Sequence, residues 1–308
     1  MAEIILHHYP QSPVSEKVRI ALGIKGLDWR SVTIPRLPPK PDLMPLTGGY
    51  RLTPVLQAGA DIYCDSICII RELERRFPEP SLFPGGAAGM IWGVSRWTDG
   101  ALFRNVIALV FVDAGESMPA EFWADRGTLY FGADFDQDAI RAQLPELLAS
   151  IRAQFGWMEA RAATGRTFML GDRPGLPDAL CYYLLWFIRG RYSKGPEFLS
   201  QFPNLCAWEQ RVAALGHGNP SELSAVEALE IAQGAEPAAP EKVDPDDPLG
   251  LQLGDPVQVL PEAMDGVTAV AGRLRFLDAQ TVTLDRDDER VGRVAIHFPR
   301  IGYRIQRG

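Results

Sequence analysis

Three changes of pattern along the 308 residues predict an α/β domain, then an all-helical domain, then a small β domain. Residues 1–80 mix short branched or apolar runs with two segments of helical period. Residues 89–233 carry helical spacing almost throughout. Residues 234–250 are rich in Ala, Pro, Glu and Asp and read as a linker, and residues 251–308 break into short strand-like runs separated by turn residues.

The first domain is organised around Ile4 to Arg19. An apolar run predicts a buried strand, and a tight loop through Tyr9-Pro10-Gln11 leads to a helix whose Val14, Val18, Ala21 and Leu22 share one face. Ser12 stands before Pro13, the arrangement of an N-cap with proline at the first helical position. Backbone donors and the positive end of the helix dipole converge there and favour an anion such as a thiolate. A serine in this place also has a purely structural reading, as a helix cap.

The helix should end near Gly26, and Trp29 to Ile34 has the character of a second strand. A proline-dense connection follows (Pro35, Pro38, Pro39, Pro41, Pro45), in which any helix must be short. Thr53 to Gln57 and Asp61 to Cys64 read as a hairpin, and Asp65-Ser66 open a helix from Ile67 to Phe77 with Ile67, Ile70, Leu73 and Phe77 on one face. Strand, helix, strand, long connection, strand, strand, helix is the order of a thioredoxin-like domain. Proline at the start of the third strand is unusual, because it cannot donate to a ladder. A cis Thr53-Pro54 bond would turn the Thr53 backbone toward the Ser12 loop.

Composition limits the function classes. A formal charge of −8 argues against a general polyanion binder, since nucleic-acid affinity rests on phosphate neutralisation by Lys and Arg. No apolar run approaches the ~20 residues of a membrane span, and Met1-Ala2-Glu3 lacks a basic leader, so a soluble cytoplasmic protein is expected. Four cysteines without a C-x-x-C pair predict free thiols, and His7-His8 on a strand should point to opposite faces, so no metal site is expected.

Tyr9 to Leu22, with Thr53-Pro54 and Asp65-Ser66 in that order, resembles the serine-type members of the glutathione S-transferase family, over about Met1 to Gln233. The resemblance implies a glutathione-binding domain, an all-helical C-terminal domain and a homodimer acting on a small electrophile. It puts Ser12 in the catalytic place, Thr53-Pro54 on the cis-proline dipeptide that pairs with the cysteinyl backbone, and Asp65-Ser66 on the pair that holds the γ-glutamyl end. The family's tyrosine position is His8 here. Tyr50-Arg51-Leu52 stand where many members carry an amide or lysine for the glycine carboxylate, which makes Arg51 the candidate. Glutathione would be the co-substrate, without a metal. The competing expectation is a binding or regulatory protein on the same scaffold, whose terminal domain recognises a partner.

Beyond a Pro/Gly-rich segment, Met90 to Val112 carries Trp92, Trp97, Phe103 and Phe111 and predicts a partly buried helix. In the family this helix lines the electrophile pocket, which makes Trp97 a candidate. Asp113 to Asp138 reads as a long aromatic connection, and Ala139 to Ala163 as a helix. Leu170 to Asp178 resembles the family's capping box, with Gly175 where Ser or Thr is usual. Leu205 to Leu215 and Ser221 to Gln233 complete the helices. After the linker, five or six short strands from Val257 to Ile305 resemble an SH3-like barrel that ordinary members lack.

Overall fold

The first strand is buried along its whole length, because Ile5, Leu6, His7 and His8 have neighbours on both faces and both edges. The structure, a computed structural model, describes residues 2–115 and 118–308. Its strands are β1 (Ile5–His8), β2 (Asp28–Thr33), β3 (Val55–Ala58), β4 (Asp61–Cys64), β5 (Asn219–Glu222), β6 (Lys242–Val243), β7 (Pro256–Pro261), β8 (Val270–Leu277), β9 (Thr281–Asp288), β10 (Gly292–Pro299) and β11 (Tyr303–Arg307). The helices are α1 (Pro13–Ile24), α2 (Met44–Thr47), α3 (Ser66–Arg76), α4 (Ala88–Trp97), α5 (Phe103–Ala114), α6 (Ala120–Phe131), α7 (Gln137–Ala142), α8 (Leu144–Ala162), α9 (Leu176–Arg191), α10 (Gly195–Leu199), α11 (Pro203–Ala213) and α12 (Ala225–Gln233).

The chain divides into two units. One holds residues 1–15, 28–76 and 219–308, the other residues 16–27 and 77–218. In the first, β1 lies parallel to β2 and antiparallel to β3, and β3 to β4 is the expected hairpin. This is the thioredoxin-like pattern.

The terminal strands run in the order β11-β7-β8-β9-β10, the 5-1-2-3-4 order of an SH3-like sheet. They are joined to the first domain: β10 pairs in parallel with β4, Ala295 opposite Asp61, so one sheet runs through both. Two adjacent expectations are corrected. Residues 221–222, read as the start of a helix, belong instead to β5 on the edge of β2, and only 225–233 are helical. The segment read as a linker is tied down, because the N–H groups of Ala238 and Ala239 donate to Asp61 and β6 pairs with β8. The apolar core of this unit accordingly runs from Ile5, Val55 and Ile62 through Val257, Leu274 and Leu284 to Ile296 and Phe298.

The second unit is helical. The long helix expected from Met90 is interrupted at Gly100 by a widened turn between α4 and α5. The stretch read as a long connection contains α6; Gly127 in its middle weakens helix propensity, but a Cβ there would strike the Phe135 ring at 2.1 Å, so packing selects glycine. Asp178 caps α9 as expected, its Oδ2 accepting the Gly175 N–H at 2.9 Å while Oδ1 takes Met169 N–H and Trp208 Nε1–H. Among the described residues no helix is long and apolar enough to cross a membrane.

Candidate functional site

The register of the sheet gathers the candidate residues of the first unit at one end. β1 pairs with β3 so that His7 faces Val55, and extending the same antiparallel register by two residues sets Tyr9 on a level with Thr53. β3 pairs with β4 with Val55 opposite Cys64, so Asp65 and Ser66 leave the sheet at that same end. The Ser12 loop, Thr53-Pro54 and Asp65-Ser66 therefore emerge side by side from adjacent strands.

Ser12 is the N-cap of α1. Its Oγ accepts the Ser15 N–H at 3.1 Å, and its own N–H donates to the Tyr9 carbonyl at 3.1 Å. The cap uses a lone pair on the hydroxyl and leaves its proton to be donated elsewhere. The residue is 2% exposed, so an anion meeting that proton would be largely shielded from water.

Thr53-Pro54 is cis. The Thr53 hydroxyl accepts from Lys40 Nζ at 3.0 Å, and the same ammonium donates to the Arg51 carbonyl at 2.8 Å and lies 6.0 Å from the centre of the Tyr9 ring. Lys40 is buried, an unusual state for a lysine. Sequence reasoning missed it; the available signal was a lone lysine inside the proline-dense connection. Arg51 points its Nε–H at the carbonyl of Gly266, in the β7–β8 connection, at 3.0 Å.

Asp65 is the N-cap of α3: its carbonyl accepts from Ile69 N–H and its Oδ1 from Ile67 N–H at 2.8 Å. Its φ is +75°, the left-handed region that Asp tolerates better than most residues, as a tight turn from strand to helix requires. Ser66 is the first residue of α3 and is buried beside the helix's unsatisfied N–H groups. The face of α3 differs from the expectation: Cys68, Ile69, Ile70 and Leu73 are buried, whereas Ile67 and Phe77 are only partly covered. A second residue missed by sequence reasoning is Tyr303 on β11, whose hydroxyl donates to Asp65 Oδ2 at 3.2 Å.

Trp97 belongs to the helical unit. Its indole N–H donates to Gln154 Oε1 at 2.7 Å, and its ring packs at a tilt against Trp157, 5.6 Å between centres. The two histidines of β1 have local partners. His7 Nε2 meets Gln57 Oε1 at 2.8 Å and His8 Nε2 meets Ser31 Oγ at 3.0 Å, so the two imidazoles serve different neighbours. All four cysteines are free, and burial pushes the Cys64 and Cys68 thiols well up, out of the range of a nucleophile at neutral pH. Among the described residues no three His, Cys, Asp or Glu side chains converge as metal ligands.

Comparison with known proteins agrees with this architecture. Residues 6–81 match the glutathione S-transferase N-terminal domain, and residues 121–211 the glutathione S-transferase C-terminal domain. A crystal structure of a GST-like protein from Pseudomonas syringae superposes over 100% of both chains with a TM-score of 0.80 and 37% identity. Its coverage includes the terminal strands. A zeta-class glutathione S-transferase from Euphorbia esula is 36% identical over 83 residues, 26% of this chain and 36% of that one. A maleylpyruvate isomerase from Ralstonia is 31% identical over 86 residues, 27% of this chain and 41% of that one. The match therefore spans well under half the length of these two curated relatives.

Proposed function

Because the chain belongs to the glutathione S-transferase family, we propose that its first unit binds glutathione and holds the cysteinyl sulfur as a thiolate beside Ser12, for attack on a small electrophile. One observation carries the reading: the Ser12 loop, Thr53-Pro54 and Asp65-Ser66 leave adjacent strands at one end of the sheet. Each end of the tripeptide then has a chemically matched group. The γ-glutamyl carboxylate goes to Ser66 and the N–H groups opening α3, and its ammonium to Asp65. The cysteinyl backbone goes to Thr53. The glycine carboxylate goes to the side occupied by Lys40, with Arg51 as the second cation in that region.

A free thiol has a pKa of about 8.5, and bringing it to about 6.5 requires roughly 2.7 kcal/mol of preferential stabilisation of the thiolate. A hydrogen bond to a charged acceptor contributes about 1.5–3 kcal/mol, and a helix N-terminus about 0.3–1 kcal/mol. The Ser12 hydroxyl at the mouth of α1 supplies both terms. The thiol proton passes to solvent, the sulfur lone pair forms the carbon–sulfur bond, and the leaving group departs with the electron pair of the bond it breaks. If the same thiolate adds to a conjugated double bond and is expelled again after rotation, the net reaction is isomerisation, the activity named for the Ralstonia relative. The proposal includes a homodimer, the usual state of the family.

Calorimetric titration of the full chain with glutathione tests the reading. Saturable heat is expected, and it should be lost in competition with an S-alkyl glutathione. The absence of heat at millimolar ligand contradicts it and favours a binding or regulatory role for the scaffold.

A further inference from the structure

We infer that Tyr303, supplied by the last of the appended strands, is a positioning residue for the γ-glutamyl ammonium of the ligand, acting through Asp65; the inference rests on the glutathione reading above. A phenol has one proton, and Tyr303 gives it to Asp65 Oδ2. The hydroxyl of Tyr50, 3.0 Å away, must therefore donate to the Tyr303 oxygen. The result is a directional relay, Tyr50 to Tyr303 to Asp65, in which each bond polarises the next.

Several features hold the relay in this sense. Both tyrosines are buried, Tyr50 at 2% and Tyr303 at 7% exposure, and the Phe298 ring packs against both, 5.6 Å and 5.5 Å between centres. Burial, together with the nearby Asp65 charge, keeps both phenols well above their ordinary pKa, so they remain donors. The backbone of Tyr50 is fixed in turn, its carbonyl accepting from the Thr47 hydroxyl at 2.8 Å.

The consequence falls on Asp65. Its Oδ1 is anchored by the Ile67 N–H and its Oδ2 by Tyr303, so both oxygens are oriented before a ligand arrives. Both of these donors are neutral. They orient the carboxylate in advance, which lowers the ordering cost of binding. Residues 238 positions apart in the chain thus build one subsite, which gives the appended sheet a part in ligand recognition.

The test uses the full chain and two ligands: glutathione and glutaryl-cysteinylglycine, which lacks only the γ-glutamyl amino group. Tyr303→Phe is expected to weaken glutathione about 5–10-fold and to leave the glutaryl analogue unchanged. Tyr50→Phe should act in the same direction but less. Tyr303→Phe leaves the Tyr50 hydroxyl without its acceptor, so the double variant Tyr50→Phe/Tyr303→Phe, with no orphaned phenol, repeats the measurement if the single variant unfolds. Equal weakening of both ligands, or none, overturns the inference while the glutathione reading stands. A wild-type protein that binds neither ligand overturns both.

Discussion

His297 Nε2 lies 3.0 Å from Asp61 Oδ1 across the junction of β10 and β4. A carboxylate only accepts, so Nε2 carries a proton toward it, while Nδ1 lies 3.0 Å from the Thr283 hydroxyl. The imidazole also stacks on Tyr63 at 4.2 Å. Burial alone would raise the Asp61 pKa, but the His297 hydrogen bond and the N–H groups of Ala238 and Ala239 outweigh it and hold the carboxyl below its usual range. One carboxylate on β4 thus binds β10 and the segment that leads to the terminal strands. Asp61→Asn turns an acceptor into a donor facing these donors, and should cost about 2–3 kcal/mol. Urea unfolding should show this as an earlier single transition of β1–β4 and β7–β11 together. An unshifted midpoint would mean that the junction contributes nothing.

Acid stability has a separate marker in His7. Burial drives its pKa down to about 4 despite the Gln57 hydrogen bond. The unfolded chain takes up this proton near pH 6.5 and the folded chain only near 4, so the His7 contribution is complete above about 6.5 and is lost as pH falls to 4. The loss amounts to about 3 kcal/mol. Carboxylates held below their usual range, such as Glu16 beside His217 and Arg19, act at still lower pH. His7→Gln retains a donor toward Gln57 without the titration. Its unfolding free energy should be flatter between pH 6.5 and 4 than that of the wild type, and an identical slope contradicts the assignment.

Gly175 looks from sequence like a capping box missing its hydroxyl, which suggests that serine there would add stability. The structure predicts the reverse. A Cβ at Gly175 would sit 2.7 Å from Pro84 Cδ and 3.1 Å from the Leu82 carbonyl oxygen, while its φ of −153° is open to any residue. Gly175→Ser should lower stability by about 1–3 kcal/mol, the usual cost of overpacking, and thermal melting would show it. A raised midpoint would mean that the cap bond outweighs the crowding.

The parts of the fold legible in the sequence were those written in neighbouring residues. Ser12 before Pro13, proline ahead of β3 and Asp65-Ser66 at the start of α3 are caps and breakers whose effect is local, and each stands at an element boundary. What escaped depends on contacts between distant parts of the chain. Residues 219–222 become a strand because β2 offers an edge, not because of their own pattern, which is fully exposed. Gly127 and Phe135 hide α6 from a propensity argument. Lys40 and Tyr303 join the site from an irregular loop and from the last strand, and no spacing in the sequence relates them to Thr53 or Asp65.

The role of Ser12 in thiolate stabilisation is tested most directly by ultraviolet titration of the thiolate of glutathione bound to the wild type and to Ser12→Ala. The account predicts that bound thiol ionises about two pH units below free thiol in the wild type. Most of that gap should close in Ser12→Ala, with a side effect of about 1 kcal/mol on stability from the lost cap. Superimposable titration curves for the two proteins would contradict it.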